Sequence, residues 1–557
     1  MAKKEKLSPV EKFKEESDAL RGTLAQSLKN ELTGAVAEAD KSLIKFHGIY
    51  EQDNRDRREE RAAKKLERDY SFMIRLRLPG GLMTSEQWIA TDDIAEKYST
   101  GVIKITTRQT LQLHGIVKTD MKPTLQWFDK FNLDSIAACG DVNRNVVCSA
   151  HPMQSEIHQQ VFEYADKIST LLLPKTRAYY EVWLDDEKII DKKEEEDPLY
   201  GKTYLPRKFK IAIAIPPNND VDLYANDIGL IAVIENNVLK GFNIAVGGGM
   251  SATHGNVSTY PRVASVIGFA DTEEKVLKAV YEIVTIQRDY GNRSDRKLAR
   301  LKYTIDNEGL DWFVQELEKR CGFALEPTKQ FDFNQRIDYY GWQKNHEGKW
   351  YYTLFVENGR VCNENGVDMR KALYEIAQTA KVTFRFTCNQ NLIVGDISQK
   401  DKAAINKLLA KYNLIEHTEA RTGIRKNSMA CVAMPTCPLA LAEAQRYLPE
   451  LISKIEPLLA ENQLTNDDII IRMTGCPNGC ARPYLAEIAL VGVSPGRYNL
   501  HIGGDVSGAR LNIIFRENQN EEEILYALGA LFKTYAEKRN KNEAFGDFVI
   551  REKYVTA

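Results

Sequence analysis

Four of the nine cysteines form two closely spaced pairs that could bind a metal centre. Five residues separate Cys431 from Cys437, and three separate Cys476 from Cys480. Both segments contain prolines or glycines, which interrupt regular structure and let the backbone approach a bulky ligand. Four thiolates on two such loops suit a 4Fe–4S cluster, whose sulfur atoms also accept hydrogen bonds from backbone N–H groups.

Two other interpretations of these cysteines stay open at this point. One is a zinc site made of four thiolates, although zinc knuckles favour a C-x2-C spacing that neither pair has. The other is a set of buried thiols without a metal. The remaining cysteines are scattered, and we interpret them as small buried residues. They are Cys139, Cys148, Cys321, Cys362 and Cys388.

The overall composition is that of a soluble globular protein with several domains. The 557 residues are 43% hydrophobic and 28% charged. The formal net charge of −2 gives no signature of polyanion binding, so nucleic acid is not an expected partner. The charged start at residues 1–6 does not resemble a signal peptide, and no apolar run could span a bilayer. We therefore predict a cytoplasmic protein.

An internal repeat divides the chain into two related parts. Residues 106–111 (T-T-R-Q-T-L) resemble residues 387–392 (T-C-N-Q-N-L), and a short alternating strand precedes each copy. Further along, Cys148 matches Cys431. Unrelated β–turn–helix pieces are the alternative to a duplication. Strands of period two alternate with amphipathic helices in both parts, which predicts an α+β fold built as two halves facing each other across a crevice.

Several basic residues stand near the predicted strands of this almost neutral chain. Arg75 and Arg77 are two residues apart, which places both on one strand face, and the same spacing relates Lys208 and Lys210. An oxyanion substrate or a cofactor rich in carboxylates requires such concentrated positive charge. Taken alone, a basic residue is more often a surface charge than a ligand.

The two cysteine segments resemble the signature of the siroheme-dependent sulfite and nitrite reductases. The similarity rests on residues 428–440 (S-M-A-C…T-C-P-L-A) and 474–480 (T-G-C-P-N-G-C), and it extends from about residue 60 to the C-terminal end. It implies a pseudo-twofold duplicated α+β fold with ferredoxin-like half-domains and two siroheme/cluster α/β domains. The implied divisions are a charged N-terminal arm (1–65), a first half-domain (66–135), a first α/β domain (136–330), a second half-domain (331–410) and a second α/β domain (411–557).

The same resemblance implies roles for individual residues. In that family four cysteines hold the 4Fe–4S cluster, and the last of them, matched here by Cys480, also ligates the siroheme iron. The implied cluster ligands are Cys431, Cys437, Cys476 and Cys480. The implied catalytic residues, which hold the oxygens of sulfite, are Arg75, Arg144, Lys208 and Lys210.

Siroheme carboxylates are contacted in the family at positions matched by Arg108 and Gln112. We add polar neighbours in the same motifs to the predicted cofactor-binding set, which are Arg77, Thr106, His114, Arg207 and Asn478. A hydrogen-bonded core histidine is the competing interpretation of His114. Lys104 stands where the family has an arginine, and it lacks the bidentate geometry of a guanidinium.

The function that the resemblance implies is assimilatory reduction of sulfite to sulfide for cysteine biosynthesis. The segment Gly247–Gly249 is not a dinucleotide-binding fingerprint, so electrons are expected from a separate protein, either an NADPH-oxidising flavoprotein or a ferredoxin. A siroheme nitrite reductase is the nearest alternative. Turnover of sulfite and of nitrite at low concentration would separate these two enzymes. A heme-free iron–sulfur electron carrier and a zinc-stabilised binding module represent other classes, and the visible absorption spectrum would distinguish both from a siroheme enzyme.

Overall fold

The computed structural model of the chain describes residues 7–150, 155–185, 196–364 and 366–556. Residues 1–6, on which part of the expected location rests, lie outside the described residues. Among the residues that are described, every helix is too short or too polar to cross a lipid bilayer.

Helices and strands are interspersed along the described chain. The helices are α1 (Pro9–Glu15), α2 (Leu24–Lys29), α3 (Asp40–Leu43), α4 (Arg58–Ala63), α5 (Ser85–Tyr98), α6 (Lys118–Asp129), α7 (Glu156–Leu171), α8 (Ala178–Trp183), α9 (Glu273–Tyr290), α10 (Leu301–Glu308), α11 (Leu310–Cys321), α12 (Met369–Thr379), α13 (Lys402–Lys411), α14 (Leu414–Glu419), α15 (Gly423–Lys426), α16 (Leu448–Glu461), α17 (Glu521–Lys538) and α18 (Phe545–Arg551). The strands are β1 (Ile49–Asp53), β2 (Tyr70–Arg75), β3 (Leu82–Thr84), β4 (Ile103–Ile105), β5 (Leu111–Ile116), β6 (Val147–Cys148), β7 (Ile211–Ala214), β8 (Ile228–Glu235), β9 (Val238–Val246), β10 (Ser265–Ala270), β11 (Gly341–Lys344), β12 (Trp350–Leu354), β13 (Arg360–Val361), β14 (Asn363–Glu364), β15 (Val367–Asp368), β16 (Thr383–Phe386), β17 (Leu392–Ile397), β18 (Ser428–Ala430), β19 (Ile471–Thr474), β20 (Ile488–Ser494), β21 (Arg497–Ile502) and β22 (Ile513–Gln519).

Two five-stranded antiparallel sheets exchange their edge strands. One sheet has the order β1-β2-β5-β4-β13, and the other has the order β11-β12-β17-β16-β3. Strand β13 belongs to the second half of the sequence but pairs with β4, while β3 from the first half pairs with β16. Each sheet thus takes one edge strand from the other half of the sequence. Neither half could therefore form its complete sheet alone.

The other two large sheets share a single topology. Their strands follow the orders β6-β7-β8-β9-β10 and β18-β19-β20-β21-β22. In each sheet the first three strands are parallel and the last three are antiparallel. The predicted α+β duplication is therefore confirmed.

The strand register corrects one match within the repeat. Cys148 pairs with Ile213, whereas the corresponding pair in the second half is Ala430 with Met473. The backbone N–H of Ser149 donates to the carbonyl of Ile213, as that of Cys431 does to Met473. The first-half counterpart of Cys431 is thus Ser149, and the match to Cys148 was wrong by one residue. A shift of one residue along a strand turns a side chain to the opposite face.

Residues of the repeated turns, and glycines beside them, adopt left-handed backbone conformations where the two halves meet. Gln109 and Gln390 both adopt left-handed conformations, with φ of 48° and 69°. Gly81 and Gly359 do so as well, with φ of 72° and 69°. A Cβ on Gly359 would lie 2.3 Å from the carbonyl oxygen of Ile105 in the other half. This position therefore requires a glycine, both because of its φ and because the two backbone segments lie so close together.

The charged N-terminal segment is part of the folded molecule. Strand β1 pairs with β2 along its whole length, and Ile49 is fully buried. Further along, the Arg55 side chain donates to the carbonyls of Cys437 and Ala440 in the second half. The segment therefore packs against both halves. The five domain boundaries stay a prediction.

Gly359→Ala is expected to lower the stability of the protein more than Gly496→Ala does. Gly496 has nearly the same φ, 68°, but nothing lies within 4 Å of an added Cβ. We expect a loss of about 1 kcal/mol at Gly496 from backbone strain alone. At Gly359 overpacking adds roughly 1–3 kcal/mol. Thermal unfolding of both variants measures the difference, and equal transition temperatures would contradict the close-approach argument.

Candidate active site

The two cysteine loops begin at the same edge of one sheet. Cys431 directly follows β18, and Cys476 lies two residues beyond β19. These strands are adjacent and parallel, so their carboxyl ends place the loops side by side. Leu441 of the first loop donates its N–H to the carbonyl of Gly475 at 2.7 Å, and the Gly475 N–H lies 3.4 Å from Cys431 Sγ. The structure therefore brings the two predicted pairs together.

The four thiols lie close enough to affect one another. Burial raises the pKa of Cys431 well above its usual range, raises that of Cys437 to about 11 and raises that of Cys476. For all three the strongest effect of a neighbouring thiol comes from Cys480. Negative charge on four such close sulfurs is unfavourable unless a cation accompanies it.

Hydrogen-bond donors point at the sulfurs as a cluster site requires. The Gly475 N–H faces Cys431, and Asn478 Nδ2 lies 3.6 Å from Cys476 Sγ. Among the described residues, no three His, Cys, Asp or Glu side chains lie close enough together to hold a single metal ion. The soft sulfur donors, their mutual repulsion and the facing N–H groups fit a 4Fe–4S cluster.

The first half contributes a group of cations opposite Cys480. The N–H of Arg144 donates to the carbonyl of Phe209 at 2.9 Å, because Asn143 and Phe209 form a parallel bridge that extends β6 and β7. The Phe209 side chain is fully buried, so Lys208 and Lys210 turn to the opposite face. The structure thus places Arg144, Lys208 and Lys210 together.

Neighbouring cations depress the pKa of both lysines. Burial, together with Arg207 and Arg144, lowers the pKa of Lys208 to about 7. Burial and the adjacent Lys208 lower the pKa of Lys210. The Cys480 thiol has the opposite effect on both lysines. Across the described residues, neither ammonium has a hydrogen-bond or ion-pair partner. Two unpaired cations that face a cysteine are suited to an anionic ligand.

Arg75 is oriented by a chain of hydrogen bonds from its own sheet. With the Gln112 amide placed to satisfy both neighbours, its oxygen accepts from Arg75 Nε at 2.9 Å and its nitrogen donates to His114 Nε2 at 3.3 Å. His114 Nδ1 then donates to Gln52 Oε1 at 3.0 Å. Burial, Lys104 and Arg75 lower the pKa of His114 to about 3, so the ring is neutral. His114 is a hydrogen-bonded histidine that orients Gln112 toward Arg75.

Arg108 is held by the backbone at the centre of the molecule. Its guanidinium donates to Asn226 Oδ1 at 2.6 Å and to the carbonyls of Asn145 and Ile211 at 2.5 and 2.9 Å. Burial lowers its pKa to about 10, and its buried Nε has no partner within the described chain. Thr106 accepts a hydrogen bond from the Arg108 N–H at 3.1 Å. An unsatisfied buried donor of this kind indicates a place for an acceptor.

Two predicted cations have other partners. Strand β2 ends at Arg75, so Arg77 does not lie on the same strand face as Arg75. Arg77 instead forms an ion pair with Asp134 at 2.6 Å. The Lys104 ammonium donates to the carbonyl of Asn358, and burial lowers its pKa to about 7. The cofactor-binding role of Arg77 stays a prediction, but the structure does not place this side chain with the other cations.

A further basic segment was missed by the sequence analysis. Arg296 forms an ion pair with Asp141 at 2.6 Å, and Arg300 forms one with Asp227 at 2.8 Å. Both arginines lower the pKa of Arg207, to about 10 together with burial. The sequence signal was the dense basic run at 293–302, R-S-D-R-K-L-A-R-L-K, which follows α9.

A buried ionic cluster joins the halves beside Cys480. Asp222, 1% exposed, contacts three arginines. They are Arg336 at 3.0 Å, Arg472 at 2.6 Å and Arg482. Arg482 also donates to the carbonyls of Thr107 at 2.9 Å and Cys388 at 2.8 Å, one in each repeated turn. Burial opposes ionisation of Asp222, but the arginines hold its pKa well below the usual range.

Two duplicated halves, with four neighbouring cysteines in one and a group of buried cations in the other, fit a metal-dependent redox enzyme. Two family models match the chain. The model of the nitrite and sulphite reductase 4Fe-4S domain matches residues 163–325. The model of the nitrite/sulfite reductase ferredoxin-like half domain matches residues 65–128 and 343–412.

Curated relatives cover nearly the whole chain. The sulfite reductase [NADPH] hemoprotein beta-component of Leptospira biflexa is 58% identical and covers 99% of both chains. That of Oceanobacillus iheyensis is 53% identical and covers 99% of this chain and 95% of its own. The solved structure of the Mycobacterium tuberculosis NirA protein has a TM-score of 0.80 at 23% identity, covers 99% of this chain and 98% of its own, and shows the shared fold. The chain belongs to the NADPH sulfite reductase hemoprotein beta-component family, whose members carry siroheme and a 4Fe–4S cluster.

Asp222→Asn is expected to destabilise the protein by about 3–5 kcal/mol, because three buried guanidinium groups lose their counter-charge. Asp306→Asn is the matched control, since its ion pair with Arg262 at 2.9 Å is partly exposed and contributes about 0–1 kcal/mol. Thermal unfolding compares the two variants. A transition temperature for Asp222→Asn equal to that of the control would show that the cluster does not hold the halves together.

Proposed function

We propose that the described site reduces sulfite to sulfide, with the basic group of the first half holding the substrate and the cysteine loops of the second half holding the redox centres. The observation that carries the proposal is the position of Lys208 and Lys210, whose side chains lie near enough to Cys480 of the other half for it to raise their pKa values and whose ammonium groups have no acidic partner in the described chain. A compact oxyanion supplies the missing negative charge.

Each cation has a separate task in this proposal. Arg75, held by Gln112, and Arg144, held at the Gly140 carbonyl at 3.0 Å, offer fixed donors to the sulfite oxygens. Such preorganised charge stabilises negative charge as the S–O bonds weaken. Lys208, with a pKa near 7, can donate a proton near neutral pH as each oxygen leaves as water.

The cofactors carry the electrons, and this chain positions them. When bound, siroheme and the cluster would pass the six electrons of the reaction from the electron donor to the substrate. We propose that Cys431, Cys437, Cys476 and Cys480 ligate the cluster and that Cys480 also ligates the siroheme iron. The proposed siroheme contacts are Arg77, Thr106, Arg108, Gln112, His114, Arg207 and Asn478. The unpartnered Nε of Arg108 supports a carboxylate acceptor at that position.

Electrons reach the site from an NADPH-oxidising flavoprotein in this proposal. The support is the name of the curated relatives, each a beta-component of an NADPH enzyme. We also propose a cytoplasmic location. All nine cysteines are free, and four of them must stay reduced to bind a cluster, which a reducing compartment favours.

Lys208→Met is expected to lower the sulfite turnover number by about 100-fold or more, the usual contribution of a positioned proton donor. The siroheme absorption bands should be unchanged, since the substitution removes a proton donor rather than a proposed iron ligand. The exposed Lys202 provides the control variant Lys202→Met. Steady-state assays with sulfite and with nitrite test the proposal, and full sulfite turnover by Lys208→Met would remove this lysine from the mechanism.

Cys480→Ser is expected to abolish both the iron–sulfur absorbance and the normal siroheme spectrum, because one sulfur serves both centres in the proposal. Cys362 lies outside the cysteine loops, and burial raises its pKa to about 12, so Cys362→Ser should leave both signals unchanged. Visible spectroscopy and iron and acid-labile sulfide analysis measure the outcome. A normal siroheme spectrum in Cys480→Ser would refute the shared ligand.

A further inference from the structure

The repeated turn of the first half contacts the chain segment that carries Cys480. The Thr107 hydroxyl donates to the carbonyl of Cys480 at 3.3 Å. In the opposite direction, the Arg482 guanidinium donates to the carbonyl of Thr107 at 2.9 Å. Thr107 is therefore hydrogen-bonded to the residues on both sides of the buried Ala481, and both bonds cross from one half to the other.

The residues after Cys480 are held more firmly than Cys480 itself. Arg482 lies in the buried ion cluster of Asp222, and its N–H donates to the carbonyl of Gly479 at 2.9 Å. Cys480 is exposed, and among the described residues the Thr107 hydroxyl is the only hydrogen-bond partner of its carbonyl. Loss of that hydroxyl would leave the Cys480 carbonyl without an anchor in the protein.

The same turn carries a proposed siroheme contact. Arg108 is the next residue along the chain, and its guanidinium is fixed by the carbonyls of Asn145 and Ile211. Its buried Nε has no hydrogen-bond partner within the described chain. Consecutive Cα atoms are about 3.8 Å apart. The hydrogen bond from Thr107 to Cys480 therefore ties the position of the cysteine to that of Arg108.

Building on the proposed siroheme and cluster site, we propose that Thr107 is a positioning residue that fixes the Cys480 backbone against the turn carrying Arg108 and so keeps the Cys480 sulfur where a siroheme iron can bind it. A rigid macrocycle that is held at its carboxylates has a fixed place for its metal. A protein ligand must meet that place to within about 0.5 Å. The Thr107 hydroxyl acts through the backbone and does not touch the iron.

Siroheme binding should depend on this hydroxyl more than cluster binding does. In the described chain, Thr107 has no hydrogen bond to the residues that carry the other three cysteines. Those cysteines can hold the cluster when the Cys480 backbone loosens, whereas the siroheme iron has only the Cys480 sulfur as its proposed protein ligand.

The test compares the purified holoenzyme with Thr107→Val, which keeps the shape of the side chain but lacks the hydroxyl. Siroheme should be released about 2- to 10-fold faster in moderate urea, the range expected for one hydrogen bond, while acid-labile sulfide per chain stays unchanged. Visible absorption follows the release. Thr107→Ser keeps the hydroxyl and should restore the wild-type rate. The control is Thr379→Val, which removes an exposed hydroxyl that donates to the carbonyl of Glu375 at 2.7 Å and should change neither quantity.

An unchanged rate of siroheme release in Thr107→Val would overturn the inference. Equal losses of siroheme and acid-labile sulfide would also overturn it, because they would indicate general loosening of the cysteine loops. Release from Thr107→Ser as fast as from Thr107→Val would show that the hydroxyl is not responsible. If Thr107→Val does not yield folded holoenzyme, Thr107→Ala takes its place with the same expected result. A wild-type protein without siroheme absorbance would instead refute the proposed function itself.

Discussion

The buried carboxylate of Asp222 ties the two halves together at the point where the cysteine loop containing Cys480 ends. Its partner Arg482 lies two residues beyond Cys480 and also binds the carbonyls of Thr107 and Cys388. A buried charge is tolerated only when its partners are correctly placed, so this cluster allows little freedom in how the halves meet. The position of Cys480 relative to the cations of the first half depends on that contact.

The duplicated halves share a backbone but differ in charge at equivalent positions. Strands β7 and β19 pair in the same way with β8 and β20, so Lys208 and Lys210 before β7 correspond to Asp468 and Ile470 before β19. At the other end of the strands, Cys431 corresponds to Ser149, whose hydroxyl donates to Asp220 at 2.6 Å. One half therefore carries the cations of the proposed sulfite site, and the other carries the cysteines of the proposed cluster.

The exchange of edge strands explains why neither half can serve alone. Strands β3 and β13 each complete the sheet of the other half, and the glycine turns beside them bring the backbones into contact. Loop closure over so many residues is costly in entropy, and the joined sheets with the buried ion cluster offset it together. The N-terminal segment strengthens the same junction through Arg55.

The amino-acid sequence by itself determined the duplicated α+β fold, the two cysteine pairs and most of the basic residues, because each leaves a local signal in spacing or periodicity. It did not reveal that Arg77 forms an ion pair with Asp134, that Ser149 rather than Cys148 is the counterpart of Cys431, or that Arg296 and Arg300 belong to the basic group. Strand register and charge pairing decided those points, and both depend on residues far apart in the chain. Only tertiary structure brings such groups within the few ångströms over which hydrogen bonds and ion pairs act.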